Sequence, residues 1–247
     1  MVQPGSGGAV LSRIRIIDVT GSTNSDLLAS DTAAEGDWLI TRRQDAGRGR
    51  QGRDWKGLDG NFFGSTLVEL ERDDAKAATL SLVAGLALLD AVELAAPGAD
   101  LMLKWPNDLM LGDGKLAGIL LERSGNRVVA GFGVNLAAAP DIEGKTTASL
   151  SERVKMAPQA FAPLLAGSFA RMLAAWRSSP TSAIVMAWMQ RGHPIGTPLT
   201  VHDESGSPRE GVFAGLNDGG ALMLETPEEL LIVRAGDVSL ASGTSRA

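Results

Sequence analysis

Three arginines fall within six residues in the segment Gly47–Arg53 (GRGRQGR): Arg48, Arg50 and Arg53, interleaved with Gly47, Gly49 and Gly52 and flanked by Asp45 and Asp54. Guanidinium forks match the oxygens of phosphates and carboxylates, and glycine lets a backbone approach its ligand closely. The chemistry on offer is anion binding; on these residues alone, a solvated basic loop is an equal reading. The glycine spacing also satisfies GxGxxG. A dinucleotide fingerprint must open a helix directly afterwards, and RDWKGLDG will not. Gly144-Lys145-Thr146 ends like a phosphate-binding P-loop, but Ala139 stands where the first glycine is required. Both matches are rejected.

A second segment is KWPNDLMLGDGKLAGILLE (104–122). Lys115 follows Gly112 and Gly114 and opens a run apolar enough for a buried strand. A lysine at such a mouth can grip an anion in a cleft, whereas Lys104 and Lys56 read as ordinary solvated groups. Gly118 inside the run points to a bulge or to a ligand lying against backbone. Asn107 and Asp108 follow Pro106 and are either turn residues or ligand contacts. Gly21-Ser22-Thr23-Asn24 is either a helix N-cap or a set of polar groups presented at a helix start. Asn135 ends the apolar strand GFGVN (131–135), where a polar side chain needs a partner. His193 and His202 lie away from every motif and are read as structural. No Ser-His-Asp or metal constellation stands out, so no metal-ligating residue is assigned.

These groups need a scaffold. The chain has 247 residues, 44% of them hydrophobic, enough for one large domain with a small appendage. The net charge of −6 argues against bulk nucleic-acid binding, so anion recognition must be local. Absence of cysteine excludes disulfides and thiolate metal sites. The longest apolar run, near 80–89, is broken by Ser81 and Gly85 and reads as too short to span a bilayer. The Gly-rich start, read as frayed over 1–9, does not resemble a secretory signal. A soluble cytoplasmic protein is expected.

Patterning predicts a strand over 10–19, a helix from Ser22 or Thr23 to about Ala34, and a short strand over Trp38–Thr41. A long loop follows over 43–60; such loops are functional or disordered. Next come a strand over 61–70 and a helix over 75–95 with Leu80, Val83, Ala87, Ala91 and Leu94 on one stripe. A strand over 101–105 is stopped by Pro106. Strands over 115–123 and 127–136 flank the hairpin signal Ser124-Gly125-Asn126. A loop (137–149) and helices near 158–177 and 180–190 complete the first part. After Pro194, five short β-rich runs (197–203, 209–215, 220–225, 229–234, 237–241) suggest a small barrel. The expected fold is α/β: a mixed-sheet domain over 1–193 and a small β domain over 194–247.

Taken in order, GSTN (21–24), RQDAGRGRQGRDW (43–55), KWPNDLML (104–111), GKLAGILLE (114–122) and GFGVNL (131–136) resemble a biotin protein ligase. GALMLE and GDVSL, nearer the C-terminus, are similar to that family's SH3-like β-barrel. The resemblance implies two steps: biotin and ATP give biotinyl-5′-AMP and pyrophosphate, with Mg²⁺, and a lysine of a biotin carboxyl carrier protein or domain then displaces AMP. It implies that Ser22, Thr23, Asn24 and Gln44 bind the biotin head group, with Gly118 beside them. Arg48, Gly49 and Arg50 belong to a loop that orders over the ligand. Lys115 would reach the biotin carboxylate and then the bridging phosphate, sharing the catalytic role with Arg48 and Arg50. Arg50, Arg53, Trp55, Asn107, Asp108, Lys115 and Asn135 are expected around the nucleotide. Some members carry an N-terminal helix-turn-helix; the pattern here begins by about residue 10, so a ligase without DNA binding is expected. The family can form homodimers through its central sheet. A lipoate ligase, sharing domain and adenylation logic, is the near alternative; a non-catalytic nucleic-acid-binding module is the distant one.

Overall fold

A computed structural model describes residues 13–72, 74, 77–202 and 208–240; the start read as frayed and the first residues of the strand expected at 10–19 lie outside them. Seven strands form one sheet: β1 (Ile14–Thr20), β2 (Trp38–Gln44), β3 (Phe62–Glu69), β4 (Leu101–Lys104), β5 (Asp108–Leu111), β6 (Gly114–Ser124) and β7 (Arg127–Val134), in the order β1-β2-β3-β7-β6-β5-β4. Only β1 and β2 are parallel. A parallel pair needs a crossover, and α1 (Thr23–Ala29) supplies it. The other neighbours are antiparallel.

Three helices, α2 (Leu80–Ala95), α3 (Pro158–Ser178) and α4 (Thr181–Arg191), bury one face of the sheet. Trp38 and Phe132 stack at 5.6 Å between centroids and Phe169 of α3 meets both rings edge-on. The single stripe expected on α2 is corrected: Leu82, Ala84, Leu86 and Leu88 are buried with Leu80, Val83, Ala87 and Ala91, while Leu94 is 54% exposed. A helix enclosed on nearly every side by sheet and helices has no polar face to keep. With its preceding turn it spans Ala77–Ala95 and is long and apolar enough to cross a membrane, longer than the run read from the sequence, but here it is the core helix.

On the opposite face α1 packs Leu27 against Leu39, Leu67 and Val129. It stops at Ala29 rather than near Ala34, and Arg127 explains why. The guanidinium collects the carbonyls of Leu27, Leu28, Ser30 and Ala33 at 2.9–3.5 Å. Carbonyls left over at a helix end need such donors, and a cation there also complements the helix dipole.

The remaining strands, β8 (Pro198–His202), β9 (Pro208–Leu216), β10 (Leu222–Glu225), β11 (Leu230–Val233) and β12 (Asp237–Leu240), form a second, antiparallel sheet in the order β11-β10-β9-β8-β12. At the joint between the sheets His193 is 1% exposed, wedged between Trp188 and Phe213 at 5.8 and 4.1 Å. Neither ring nitrogen has a partner among the described residues. Burial, then the charge of Lys104, push its pKa down to about 4, so it is a neutral packing group. Trp105 Nε1 donates to Gly220 O at 3.0 Å across the same joint.

Candidate active-site cleft

A cleft of about 630 Å³ opens on the sheet face beside α1, bounded by the 47–55 loop, the 140–147 segment and β12. Its floor is paved by glycine. Register places Phe63, Gly133, Gly118 and Asp108 in one row across β3, β7, β6 and β5. Ser65, Gly131 and Leu120 form the next row. Side chains cannot be added here without collision: a Cβ on Gly131 would strike Asn24 Oδ1, one on Gly133 the Trp55 indole, and one on Gly118 would sit 2.9 Å from Trp55 Cζ3. Glycine inside strands commonly marks such close approach.

Lys115 reaches this floor through a bulge. Met110 pairs with Lys115 but Leu109 pairs with Ala117, so Leu116 is an extra residue. Strict alternation would put Lys115 and Gly118 on opposite faces; the extra residue puts them on the same one, and a Gly118 Cβ would lie 3.3 Å from Lys115 Nζ. The bulge expected near Gly118 thus exists two residues earlier. The strand expected to end at Trp105 in fact turns and returns as β5, which carries Asp108 back beneath Lys115. Lys115 Nζ lies 2.6 Å from Asp108 Oδ1 and 5.5 Å from the Trp55 ring centroid. Lys104, read above as solvated, is 19% exposed in its side chain and lies 3.4 Å from the other Asp108 oxygen. Asp108 is therefore a carboxylate shared by two lysines, not a bare turn residue.

At the α1 end, Ser22 caps the helix by accepting from Ser25 N at 3.4 Å. Thr23 N donates to Gln44 Oε1 at 2.9 Å. Gln44 is delivered by β2, which runs three residues beyond its expected end at Thr41. Thr23 Oγ1 lies 2.6 Å from Ser65 Oγ, and Ser65 donates to Asn24 Oδ1 at 2.6 Å. Asn24 Nδ2 donates to Glu122 Oε2 at 2.8 Å.

The 47–55 loop is not structureless as expected. It folds back on itself: Gly49 N donates to Arg53 O at 2.6 Å and Trp55 N to Gly47 O at 3.0 Å, with Arg48 and Asp54 bridged. Its apex takes positive φ at Gln51 (56°) and Gly52 (71°), a conformation natural for glycine and unusual for glutamine. The arginines diverge. Arg48 Nη2 donates to Ser25 Oγ at 2.7 Å and to Glu122 Oε1 at 3.1 Å. Arg50 Nη1 donates to Asn107 Oδ1 at 3.5 Å and Gly236 O at 3.1 Å. Burial lowers the Arg50 pKa from the ordinary guanidinium value, opposed by Asp237 and Asp108. Arg53 Nη2 donates to Asp237 Oδ1 at 2.7 Å.

Every site residue named from the sequence lines this one cleft. Two of them donate side-chain N–H groups to main-chain carbonyls. Asn107 Nδ2 donates to Ile119 O at 2.7 Å, and Asn135 Nδ2 to Lys115 O at 3.4 Å and Ala148 O at 3.1 Å. His202, read as remote, is on the rim, as are Lys145 and Thr146 of the rejected P-loop match. Ser65, Glu122 and Asp237 have no assignment from the sequence, and Gly131 and Gly133 enter only as part of GFGVN (131–135). The alternation Gly131-Phe132-Gly133 was the one available signal. Among the described residues no group of three or more His, Asp or Glu side chains could hold a metal ion.

A glycine floor, a part-buried lysine and an arginine hairpin on a mixed sheet define a class, and residues 14–137 match the model of the Biotin/lipoate A/B protein ligase family. The chain belongs to that family. It is 40% identical over 233 residues to the biotin–[acetyl-CoA-carboxylase] ligase of Paracoccus denitrificans, covering 89% of this chain and 97% of that one. It is 35% identical over 247 residues to the ligase of the same name from Mycobacterium tuberculosis, covering 96% and 91%. Its fold is shared with the biotin protein ligase from Aquifex aeolicus in complex with biotin and ATP, at a TM-score of 0.82, 23% identity, and 92% and 98% coverage.

Proposed function

We propose that this chain is an ATP-dependent biotin protein ligase of the cytoplasm, forming biotinyl-5′-AMP and passing biotin to a lysine of a biotin carboxyl carrier domain. Residues 1–193 form the catalytic domain in this reading and 194–247 the appended barrel. One observation carries it: Lys115, the arginine hairpin and the Ser22–Asn24/Gln44 cluster face one glycine floor.

In the first step a carboxylate oxygen of biotin attacks the α-phosphorus of ATP and pyrophosphate leaves. Two anions must meet, so fixed cations aimed at the reacting oxygens lower the barrier. Lys115 is that cation; an incoming carboxylate or phosphate competes with Asp108 for its ammonium group. The head group lies at the Thr23, Asn24 and Gln44 end, where hydroxyl and amide groups offer donors and acceptors together. Glycine at 118 and 133 makes room for the Trp55 indole, and at 131 for Asn24, so that these two side chains can line the ligand pocket close against the sheet. Arg48 and Arg50 cover the mixed anhydride and keep water from it. In the second step the carrier's amine nitrogen attacks the biotinyl carbonyl carbon, an amide forms and AMP departs. Mg²⁺ would enter with the nucleotide substrate, held by its phosphates and by water with few protein ligands, and would offset charge on the triphosphate. A homodimer through the central sheet belongs to the same reading and is tested by sedimentation of the purified chain.

ATP–pyrophosphate exchange tests the proposal. Exchange should depend on biotin, and a purified carrier domain should gain the mass of one biotinyl group. Exchange driven by lipoate and not by biotin would overturn it in favour of a lipoate ligase. Salt-sensitive nucleic-acid binding that persists in saturating biotin and ATP would favour the non-catalytic reading.

A further inference from the structure

The polar groups beneath the head-group end form one chain of hydrogen bonds, and its direction is fixed by two acceptors at its far end, Glu122 and the Leu120 carbonyl, which accepts from Asn24 Nδ2 at 3.2 Å. Glu122 of β6 accepts from Asn24 Nδ2 through Oε2 at 2.8 Å and from Arg48 Nη2 through Oε1 at 3.1 Å. An ionised carboxylate only accepts. Asn24 therefore turns its NH₂ toward Glu122 and Leu120 O, and its Oδ1 toward Ser65, which donates to it. Ser65 has one hydroxyl proton, so it can only accept from Thr23 Oγ1, at 2.6 Å. Thr23 Oγ1 also lies 3.1 Å from Gln44 Oε1, but its single proton goes to the shorter contact. Thr23 and Ser65 thus both point their protons toward Glu122, leaving lone pairs of Thr23 to accept from a ligand N–H. The same carboxylate is where the hairpin's first arginine lands: one residue couples the pocket's donor–acceptor pattern to the loop over it.

We propose that Glu122 is a positioning residue that, with the Leu120 carbonyl, holds the polarity of the Thr23–Ser65–Asn24 chain and by itself links it to the hairpin at Arg48, so that head-group recognition and loop closure are one coupled event. This rests on the ligase reading above. The recognised chemistry is a compact head group that donates from N–H, the type a cyclic urea presents. Glu122 touches neither ligand nor reacting atoms; it acts through Asn24 and Arg48. Its side chain is 28% exposed and that of Arg48 is 45% exposed, so its work lies in orientation more than in global stability.

The test measures biotin-dependent exchange and the dissociation rate of biotinyl-AMP in the unaltered chain and in Glu122→Ala, Glu122→Gln, Arg48→Ala and Glu122→Ala/Arg48→Ala. Removing a charged acceptor from two donors should raise the KM for biotin about tenfold or more in Glu122→Ala, with kcat changed less. Glu122→Gln is isosteric and keeps one acceptor for Asn24, so its KM should recover most of the loss. It cannot accept from both Asn24 and Arg48, so its adenylate should dissociate about as fast as from Arg48→Ala. The double variant should lose no more retention than Arg48→Ala alone, since neighbours in one network are non-additive. Unchanged KM and dissociation rate in Glu122→Ala, or additive losses in the double variant, would overturn the inference alone. Absence of biotin-dependent exchange in the unaltered chain would instead overturn the ligase reading, and this inference with it.

Discussion

The floor of the cleft and the hairpin above it hold their charged groups by different means. Lys115 sits on β6, in the interior of the seven-stranded sheet. Its own main chain is pinned again by the 146–148 segment, through Lys115 N to Thr146 O and Ala148 N to Lys115 O, both 3.0 Å. Arg48 and Arg53 tie their hairpin to the body through side chains 45% and 46% exposed, and Arg50 adds part-buried side-chain bonds to Asn107 and Gly236. Exposed ion pairs of this kind contribute little each, whereas ladder hydrogen bonds fix a strand outright. The difference matches a division of labour. A reacting anion needs a cation held to a fraction of an ångström, while a loop that must admit ligand and retain product needs contacts weak enough to break.

The largest effect expected from that division is at Lys115. Lys115→Ala should slow adenylate formation by about 10²–10³-fold, the usual consequence of removing one preorganised charge from the reacting oxygens. Single-turnover measurement of biotinyl-AMP formation checks it, with a melting curve to show that the fold persists. A rate within about threefold of the unaltered chain would show that the hairpin, not the floor, carries the chemistry. Next is Gly133→Ala, which leaves every charge in place but drives a methyl group into the Trp55 indole. Trp55 must shift, and with it the wall beside Lys115, so the KM for biotin should rise roughly tenfold or more. A calorimetric affinity equal to that of the unaltered chain would mean the floor tolerates remodelling and is not the rigid partner. Arg50→Ala comes third. It deletes the donor to Asn107 and Gly236 and should speed biotinyl-AMP release about tenfold, with adenylate formation slowed less. If formation fell as far as in Lys115→Ala, the two regions would not divide the work.

Which parts were legible in the sequence follows the same line. The floor's strands read correctly wherever alternation or apolar runs were clean, as in β3, β6 and β7. The bulge is signalled by Gly118 but its position at Leu116 is not, because only the register against β5 fixes which residue is inserted. Nor is β5 itself: Pro106-Asn107-Asp108 carries the chemistry of a turn, and four residues are too few to show a period. The helix end at Ala29 depended on Arg127, about a hundred positions away. In the hairpin the reverse held. The residues announce themselves, yet their destinations do not, since three similar arginines part between Glu122 on β6 and the neighbouring Gly236 and Asp237 at the start of β12. Ser65 and Glu122 give no signal in the sequence: a serine in an apolar strand and a glutamate near a strand end are ordinary, and only their hydrogen bonds set them apart.

The smallest effect should come from the hairpin's outermost tie. Arg53 Nη2 meets Asp237 Oδ1 at 2.7 Å, with side chains 46% and 36% exposed, and Arg53 Nε also donates to Arg50 O at 3.2 Å. A single well-formed bond between such exposed charges contributes about 0.5 kcal/mol, so Arg53→Ala or Asp237→Ala should speed biotinyl-AMP release only about twofold. The pair joins the hairpin to the second sheet, however, and its effect should depend on salt where that of Lys115 does not. Raising ionic strength from about 0.05 to 0.5 M shortens the screening length from roughly 14 to 4 Å and should bring the release rates of the unaltered chain and the Asp237→Ala variant together. The exchanged pair Arg53→Asp/Asp237→Arg should lie closer to the unaltered chain than either single reversal, since it restores the attraction with the charges swapped. A salt-independent, tenfold effect of Asp237→Ala would mean that β12 is a fixed wall of the site, and that the boundary between rigid floor and labile cover must be drawn beyond the second sheet.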